Sequence, residues 1–181
     1  MDIGSHWGEG LDRIAGIVGL DETWGISFFE PNPLSMTRLL CTQLKYRARY
    51  FPFAVGAQTS IVGFNLQHAT YLNGESLDGA GSCLISSAST ELGLGNHQIN
   101  VFCVSLDVAL DLALRGRDVS ELVLKIDIEG AEYGLDYTVL PSNIPVTIFQ
   151  EWHNWGHPNP EEKQRYIKAA LPSNVRMIDW D

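Results

Sequence analysis

The chain has 181 residues, 45% of them hydrophobic and 19% charged, with a formal net charge of −10 and an isoelectric point near 4.8. That length supports one buried core, and that composition excludes a disordered polymer. An acidic chain is repelled by phosphate backbones, which argues against nucleic acid as a partner, and no apolar run reaches the roughly 18 residues of a membrane span.

Helical and strand patterns alternate without an internal repeat, as expected of a single domain over 1–181. "EGLDRIAGIVGL" places Leu11, Ile14, Ala15 and Val18 on one helical face, with Gly19 as its stop. "WGISFFE" at 24–30 is an apolar run ended by an acid, as in a strand covered on both faces. In "PNPL", Asn32 is the expected N-cap and Pro33 the first helical residue; Met36, Leu39, Leu40 and Leu44 carry the helix on. The basic cluster "KYRARY" at 45–50 closes it, where cations favour the exposed carbonyl end. "YFPFAVG" and "TSIVGFNLQ" read as two strands joined by a Gly-Ala-Gln turn. Residues 69–98 are rich in Gly, Ser, Thr and Asn without a period, and a loop of that length is functional, disordered, or hides an element. "INVFCVS" is a strand, "LDVALDLALRG" a helix with Ser105 as N-cap, and "ELVLKIDI" a buried strand. "AEYGLDYTVL" is a short helix and "PVTIFQE" a further buried strand. "NPEEKQRYIKAAL" opens on Asn159 and Pro160 with two acids at the positive helix end, and "VRMIDWD" is the last strand.

Such alternation with apolar strands implies an α/β fold, a mostly parallel sheet with helices on both faces. Cys41, Cys83 and Cys103 have no paired spacing and read as small buried apolar groups in a reducing compartment. No basic-then-apolar leader opens the sequence, so the expected location is the cytoplasm.

Ligands of such sheets bind beyond the carboxyl ends of the strands, which directs attention to the residue after each strand. In "DIGSHWGEG", small residues between strand and helix let backbone N–H groups approach a ligand. Gly4 and Gly8 stand four apart with His6 and Trp7 between them, which is not the GxGxxG dinucleotide fingerprint; a tight structural turn explains the same residues. Glu30 ends the second strand twenty residues after Gly10, where a carboxylate accepts both hydroxyls of a ribose. The plainer role for Glu30 is an interaction with the next helix start. Together the two features point to an adenosine-type ligand.

"LVLKIDIEGAEYG" at 122–134 ends in Asp127, Glu129 and Glu132, and acids that close repel one another. Glu132 falls in a first helical turn, where the dipole favours it; Asp127 and Glu129 ask for a positively charged or hydrogen-bonding guest. In "FQEWHNWGH", His153 sits at a strand end and can take a proton near neutral pH. Glu151, His153 and His157 are also metal-ligand types, but Gly156 and Pro158 break helical spacing, and no metal is expected. Trp152 and Trp155 are either walls of a substrate pocket or packing residues.

In this order the pieces resemble the FkbM family of S-adenosylmethionine-dependent methyltransferases. "DIGSHWGE" resembles that family's DVGANIG loop, "FFEPNP" its (F/A)EPNP turn, and "FAVGAQTSIVGF" its passage from the third strand into an extra one. "VSLDVAL" resembles its TLDDLL element, "LKIDIEGAE" its most recognisable signature, and "IFQEWH" its LLEFH strand, so that the likeness covers residues 2 to 153. The resemblance implies a Rossmann-like class I methyltransferase that moves a methyl group from S-adenosylmethionine to a hydroxyl of a sugar or other small molecule. By position it puts Asp2, Gly4, His6 and Gly8 around the methionine end of the cofactor. Glu30 falls on the ribose with Asn32 beside it, and Val55 and Gly56 border the adenine. Asp127 and Glu129 fall near the methyl and the acceptor. Glu151 and Trp152, just past the next strand, are read from their position alone as further substrate-binding residues. The acceptor proton needs a base, and Asp127 and His153 are its two candidates.

Two departures stand beside the likeness. Few apolar residues precede the first loop, and one strand follows the last helix where the common sheet carries a closing hairpin, so a domain shortened at both termini is expected. That keeps a non-catalytic binding or scaffold protein as the alternative, while the missing GxGxxG argues against a nicotinamide oxidoreductase. Nothing in the pattern implies an oligomeric state.

Overall fold

Side chains that alternate along buried strands build two helix layers on one sheet. The computed structural model describes residues 1–66, 71–72, 75–76, 82–84, 97–154 and 157–180. β1 (Asp2–Ile3) leads into α1 (Glu9–Val18), and β2 (Ser27–Phe29) into α2 (Met36–Tyr46) and β3 (Arg49–Phe51). β4 (Ala54–Gly56), β5 (Ser60–Leu66), the short β6 (Tyr71–Leu72), β7 (Glu75–Ser76) and β8 (Cys83–Leu84), and β9 (His97–Ser105) follow. Then come α3 (Leu106–Leu114), β10 (Leu122–Ile126), β11 (Val146–Gln150), α4 (Pro160–Ala170) and β12 (Val175–Asp179).

Six strands form one sheet in the order β12-β11-β10-β1-β2-β3, every pair parallel. Connections run outward from β1 on one side and from β10 on the other. The order therefore reverses between β1 and β10, which opens a crevice at their carboxyl ends. Leu122, Leu124 and Ile126 of β10 join Ile3, Phe29 and Ile148 against Leu106, Ala109 and Leu110 of α3, with Ile167 of α4 on the same side. Val123 and Phe149 face Ile14 of α1, and Phe28 meets Leu11 and Leu39 of α1 and α2. Helices cover both faces, as the alternation implied. A second sheet, β4-β9-β5-β8, lies beside the first; β9 runs parallel to β4 and antiparallel to β5.

Local expectations are corrected at several points. α2 begins at Met36, because Asn32 closes a turn instead of capping the helix: its Oδ1 accepts the Leu34 N–H at 2.9 Å and its carbonyl accepts that of Ser35. On α2 only Leu39 is buried, while Met36, Leu40 and Leu44 face outward. "YFPFAVG" divides into β3 and β4 around Pro52, which has no N–H to offer a ladder. "AEYGLDYTVL" forms two 3-10 turns, Ala131–Gly134 and Tyr137–Val139. Ser105 and Asn159 stand at N-cap positions, but neither side chain makes the capping bond. Cys41 is exposed and only Cys103 is buried as expected, while the Cys83 side chain lies outside the described residues. Of the 69–98 stretch, β6, β7, Ser82, β8 and the start of β9 are described; the remainder, like Trp155, lies outside the described residues. Among the described residues no helix is long and apolar enough to cross a membrane.

Candidate active site

The crevice at the strand-order reversal holds a cavity of ≈ 360 Å³, within the usual range of about 300–1,000 Å³ for small-molecule sites. A larger hollow of ≈ 590 Å³ lies at the amino ends of β2 and β10, against Ile26 and Leu122. Size does not choose between them; the strand-end rule does. Of the residues singled out from sequence, Gly4, His6, Glu30, Val55, Asp127, Glu129 and Glu151 line the first cavity.

The loop after β1 is seated directly on β10. Gly4 has φ +72, and a Cβ there would stand 1.7 Å from the Asp127 carbonyl oxygen. Rotating a side chain cannot relieve an overlap with backbone. Gly4→Ala is therefore expected to lower the melting temperature by roughly 10 °C or more, read by circular dichroism. A melt indistinguishable from the parent would mean the loop is not seated there. Gly8, with φ +85, opens α1; a Cβ on it would meet Thr42 Cγ2 at 2.6 Å, so it sets the approach of α1 to α2 and does not line the cavity. Gly56 likewise packs β4 on β9, with Cys103 Sγ 2.9 Å from where its Cβ would stand.

Glu30 leaves β2 at the cavity wall and is 6% exposed. Its Oε2 accepts the His6 N–H at 2.7 Å and its Oε1 the Asn32 N–H at 2.7 Å, so one carboxylate gathers both loops. Burial pushes its carboxyl up to about 6 against the pull of those two bonds. Asn32 is buried behind it, its Nδ2 donating to Ser82 Oγ at 3.1 Å. The His6 ring instead pairs with Glu9 at 2.7 Å. Val55 of β4, with Ala54, Phe64 and Leu84, gives this half of the cavity an apolar wall.

The acids after β10 and β11 meet two cations belonging to the chain itself. Lys125 Nζ donates to Asp127 Oδ2 at 2.9 Å and to the Gly4 carbonyl at 2.7 Å, and lies 3.6 Å from Asp2 Oδ1. Asp2 is buried beneath the cavity and does not line it. His153 Nε2 lies 3.4 Å from Glu129, 3.6 Å from Glu151 and 3.8 Å from Asp127, while Nδ1 lies 3.4 Å from Glu132. Fully buried Glu132 accepts the N–H groups of Gly130 at 2.8 Å and His153 at 2.6 Å, stapling the turn after β10 to the segment after β11. Glu132 does fall in a first helical turn, that of the 3-10 segment Ala131–Gly134, and there it bonds two backbone donors directly.

Burial alone would lower the His153 imidazole, but its bond to Glu132 and the charges of Glu129, Glu132 and Asp127 prevail and raise it to about 9. Burial, helped by Asp127, Glu151 and Glu132 and opposed by His153, raises Glu129 to about 7. Because the folded value of His153 lies above its ordinary 6.5, its contribution to stability is complete below pH 6.5 and is lost as pH rises through about 9. An NMR titration of the imidazole is expected to give a midpoint near 9; one at or below 6.5 would show that the carboxylates do not hold it as a cation.

Asp127, Glu151 and His153 bring one ligand-type atom each within 4.8 Å of one another, whereas His157 bonds the Gly130 carbonyl and lies tilted against the Tyr133 ring. Within this trio His153 Nε2 faces both carboxylates as an ion-pair partner. Trp152 does not line the cavity: its Nε1 donates to Asp179 at 3.1 Å and its ring tilts against Tyr133. Lys125, Glu9, Arg13 and Trp180 line it without having been singled out. A lone cation inside the apolar run "LVLKIDI" was a signal for Lys125. Arg13 and Trp180, stacked at 4.1 Å, lie far apart in sequence and gave none.

No curated protein and no solved structure matches the chain. The family model described as the methyltransferase FkbM domain matches residues 2–174, from β1 through α4, and so spans both halves of the cavity. With that match over nearly its whole length, and with the doubly wound sheet that such a domain requires, the chain belongs to the FkbM methyltransferase domain family.

Proposed function

We propose that the chain transfers a methyl group from S-adenosylmethionine to a hydroxyl oxygen of a small molecule or sugar, in the cytoplasm. The observation that carries this is the Glu30 carboxylate, buried at the carboxyl end of β2 inside the cavity, with one backbone N–H on each oxygen. Each oxygen keeps a second lone pair, and two adjacent acceptors match the vicinal hydroxyls of a ribose. The donor set around it fits the rest of such a molecule. The apolar wall of Val55, Phe64 and Leu84 suits a purine, and the carboxylates beyond Gly4 suit a cationic sulfur.

When bound, S-adenosylmethionine supplies a methyl group on a sulfonium leaving group. The chain's own residues then have to orient an oxygen in line with that carbon and accept its proton. Asp127 takes the base role, because His153 is already protonated at neutral pH and cannot accept a further proton. Glu129 and Glu151, on the same wall, hold neighbouring hydroxyls of the acceptor. His153 keeps these acids together as a fixed cation.

Calorimetry with S-adenosylhomocysteine, followed by its release from S-adenosylmethionine over a panel of polyol and sugar acceptors, tests the proposal. Uptake with turnover supports it. Uptake without turnover on any acceptor favours a binding protein, and no uptake at all ends it.

A further inference from the structure

Lys125 sits where the pattern calls for an apolar residue. It shares its face of β10 with Val123, which packs on Ile14 of α1, and it is paired in register with Asp2 of β1. Both are nearly sealed from solvent, at 4% and 2% exposed. An ion pair in such a place needs good geometry to offset the loss of water. α1 supplies room for it. A Cβ on Gly10 would stand 3.1 Å from Lys125 Cε, so the missing side chain leaves a channel for the lysine stem. At the end of that channel the ammonium meets the Gly4 carbonyl at 2.7 Å and Asp127 Oδ2 at 2.9 Å. Lys125 is also the one residue, among those described, that lines both the candidate active site and the hollow at the amino ends of the strands.

We propose that Lys125 is a positioning residue. From beneath α1 its ammonium joins the Gly4 carbonyl, on the cofactor half, to the Asp127 carboxylate, on the acceptor half, and so fixes the separation between them. The names of the two halves rest on the function proposed above; the link itself does not. A lysine suits the task because its three donors address acceptors on separate segments, the loop after β1 and the end of β10, with Asp2 beside them. The same charge favours the ionised forms of Asp2, Glu30 and Glu151. Lys125 is faced by Asp2 from β1, Glu9 from α1 and Asp127 from just past its own strand. Glu30 is faced by His6 from the loop after β1, Lys125 from β10, and Tyr50 from β3, whose hydroxyl donates to the Glu30 carbonyl.

The test uses Lys125→Met, which keeps the stem and removes the charge, Lys125→Arg, which keeps the charge, and Lys125→Met combined with Asp127→Asn. Without ligand, Lys125→Met is expected to lower the melting temperature by roughly 10 °C, and the double variant to melt above the sum of the two single effects. A Lys125→Met chain that unfolds while the double variant folds is the same coupling at its strongest. Strict additivity overturns the link. With S-adenosylhomocysteine, calorimetry across a pH series is expected to show roughly tenfold weaker uptake by Lys125→Met and a binding midpoint moved to higher pH, with Lys125→Arg returning the midpoint toward the parent. The midpoint reports only the charge beside Glu30; a lysine needed for stability alone would leave uptake by the folded chain intact, so unchanged affinity in folded Lys125→Met overturns the positioning role. If the parent chain takes up no S-adenosylhomocysteine, the methyl-donor function falls, and the ligand-free cycle still decides the link.

Discussion

Glu30→Ala is expected to weaken S-adenosylhomocysteine binding by roughly tenfold or more, the scale of a lost charge-assisted hydrogen bond. The parent should also lose affinity as pH falls through about 6, because the buried carboxyl then takes up a proton and one of its oxygens stops accepting. The alanine variant should lack that dependence. The stability arm has the opposite sign. Burial raises Glu30 from its ordinary 4.5 to about 6, so the folded chain holds this proton more tightly than the unfolded one, and the group's contribution to stability falls as pH rises across that window. Truncation also strands the N–H groups of His6 and Asn32, at about 1–3 kcal/mol for each that stays buried and unpaired. Glu30→Gln, which keeps an acceptor oxygen, separates that cost from the loss of charge. Calorimetry on folded variants is the measurement, and unchanged affinity removes Glu30 from the site.

The second large effect belongs to Asp127. Asp127→Asn is expected to cut turnover by roughly 100-fold or more, the lower range of what a positioned base contributes, while the fold and cofactor uptake are retained. The amide matches the carboxylate in shape, and its oxygen can still accept from Lys125 Nζ, now 2.9 Å away. His153 offers no substitute base below about pH 9. Single-turnover kinetics with a competent acceptor measure the effect. Full activity would leave Asp127 a structural partner of Lys125 and nothing more.

The two residues were equally legible in the sequence as strand-end acids. Glu30 and Asp127 were legible because each follows an apolar run directly, and the carboxyl ends of parallel strands are where such folds bind ligands. α1 was legible for a similar reason: its apolar spacing and the stop at Gly19 are local, and the Gly19 N–H does close on the Ala15 carbonyl. α2 misled, since Met36, Leu40 and Leu44 keep helical spacing yet face outward. Periodicity identifies a helix but not which of its faces the sheet will cover. The short helix expected at 131–140 is divided into two 3-10 turns, because Leu135 and Asp136 between them take extended backbone.

By itself the sequence determined the strand–helix alternation, the parallel sheet and the acids at its strand ends, since these follow from the order of apolar and polar residues along short segments. Only the tertiary structure decided which charges meet. Register pairing of β1 with β10 sets Asp2 beside Lys125, and the Gly4 turn brings its carbonyl to the same ammonium across 121 positions of chain. The pairing of β10 with β11 brings His153 among Asp127, Glu129 and Glu151. A charge is balanced by its neighbours in space, and in a parallel sheet those neighbours come from strands that the chain reaches only after a long crossover.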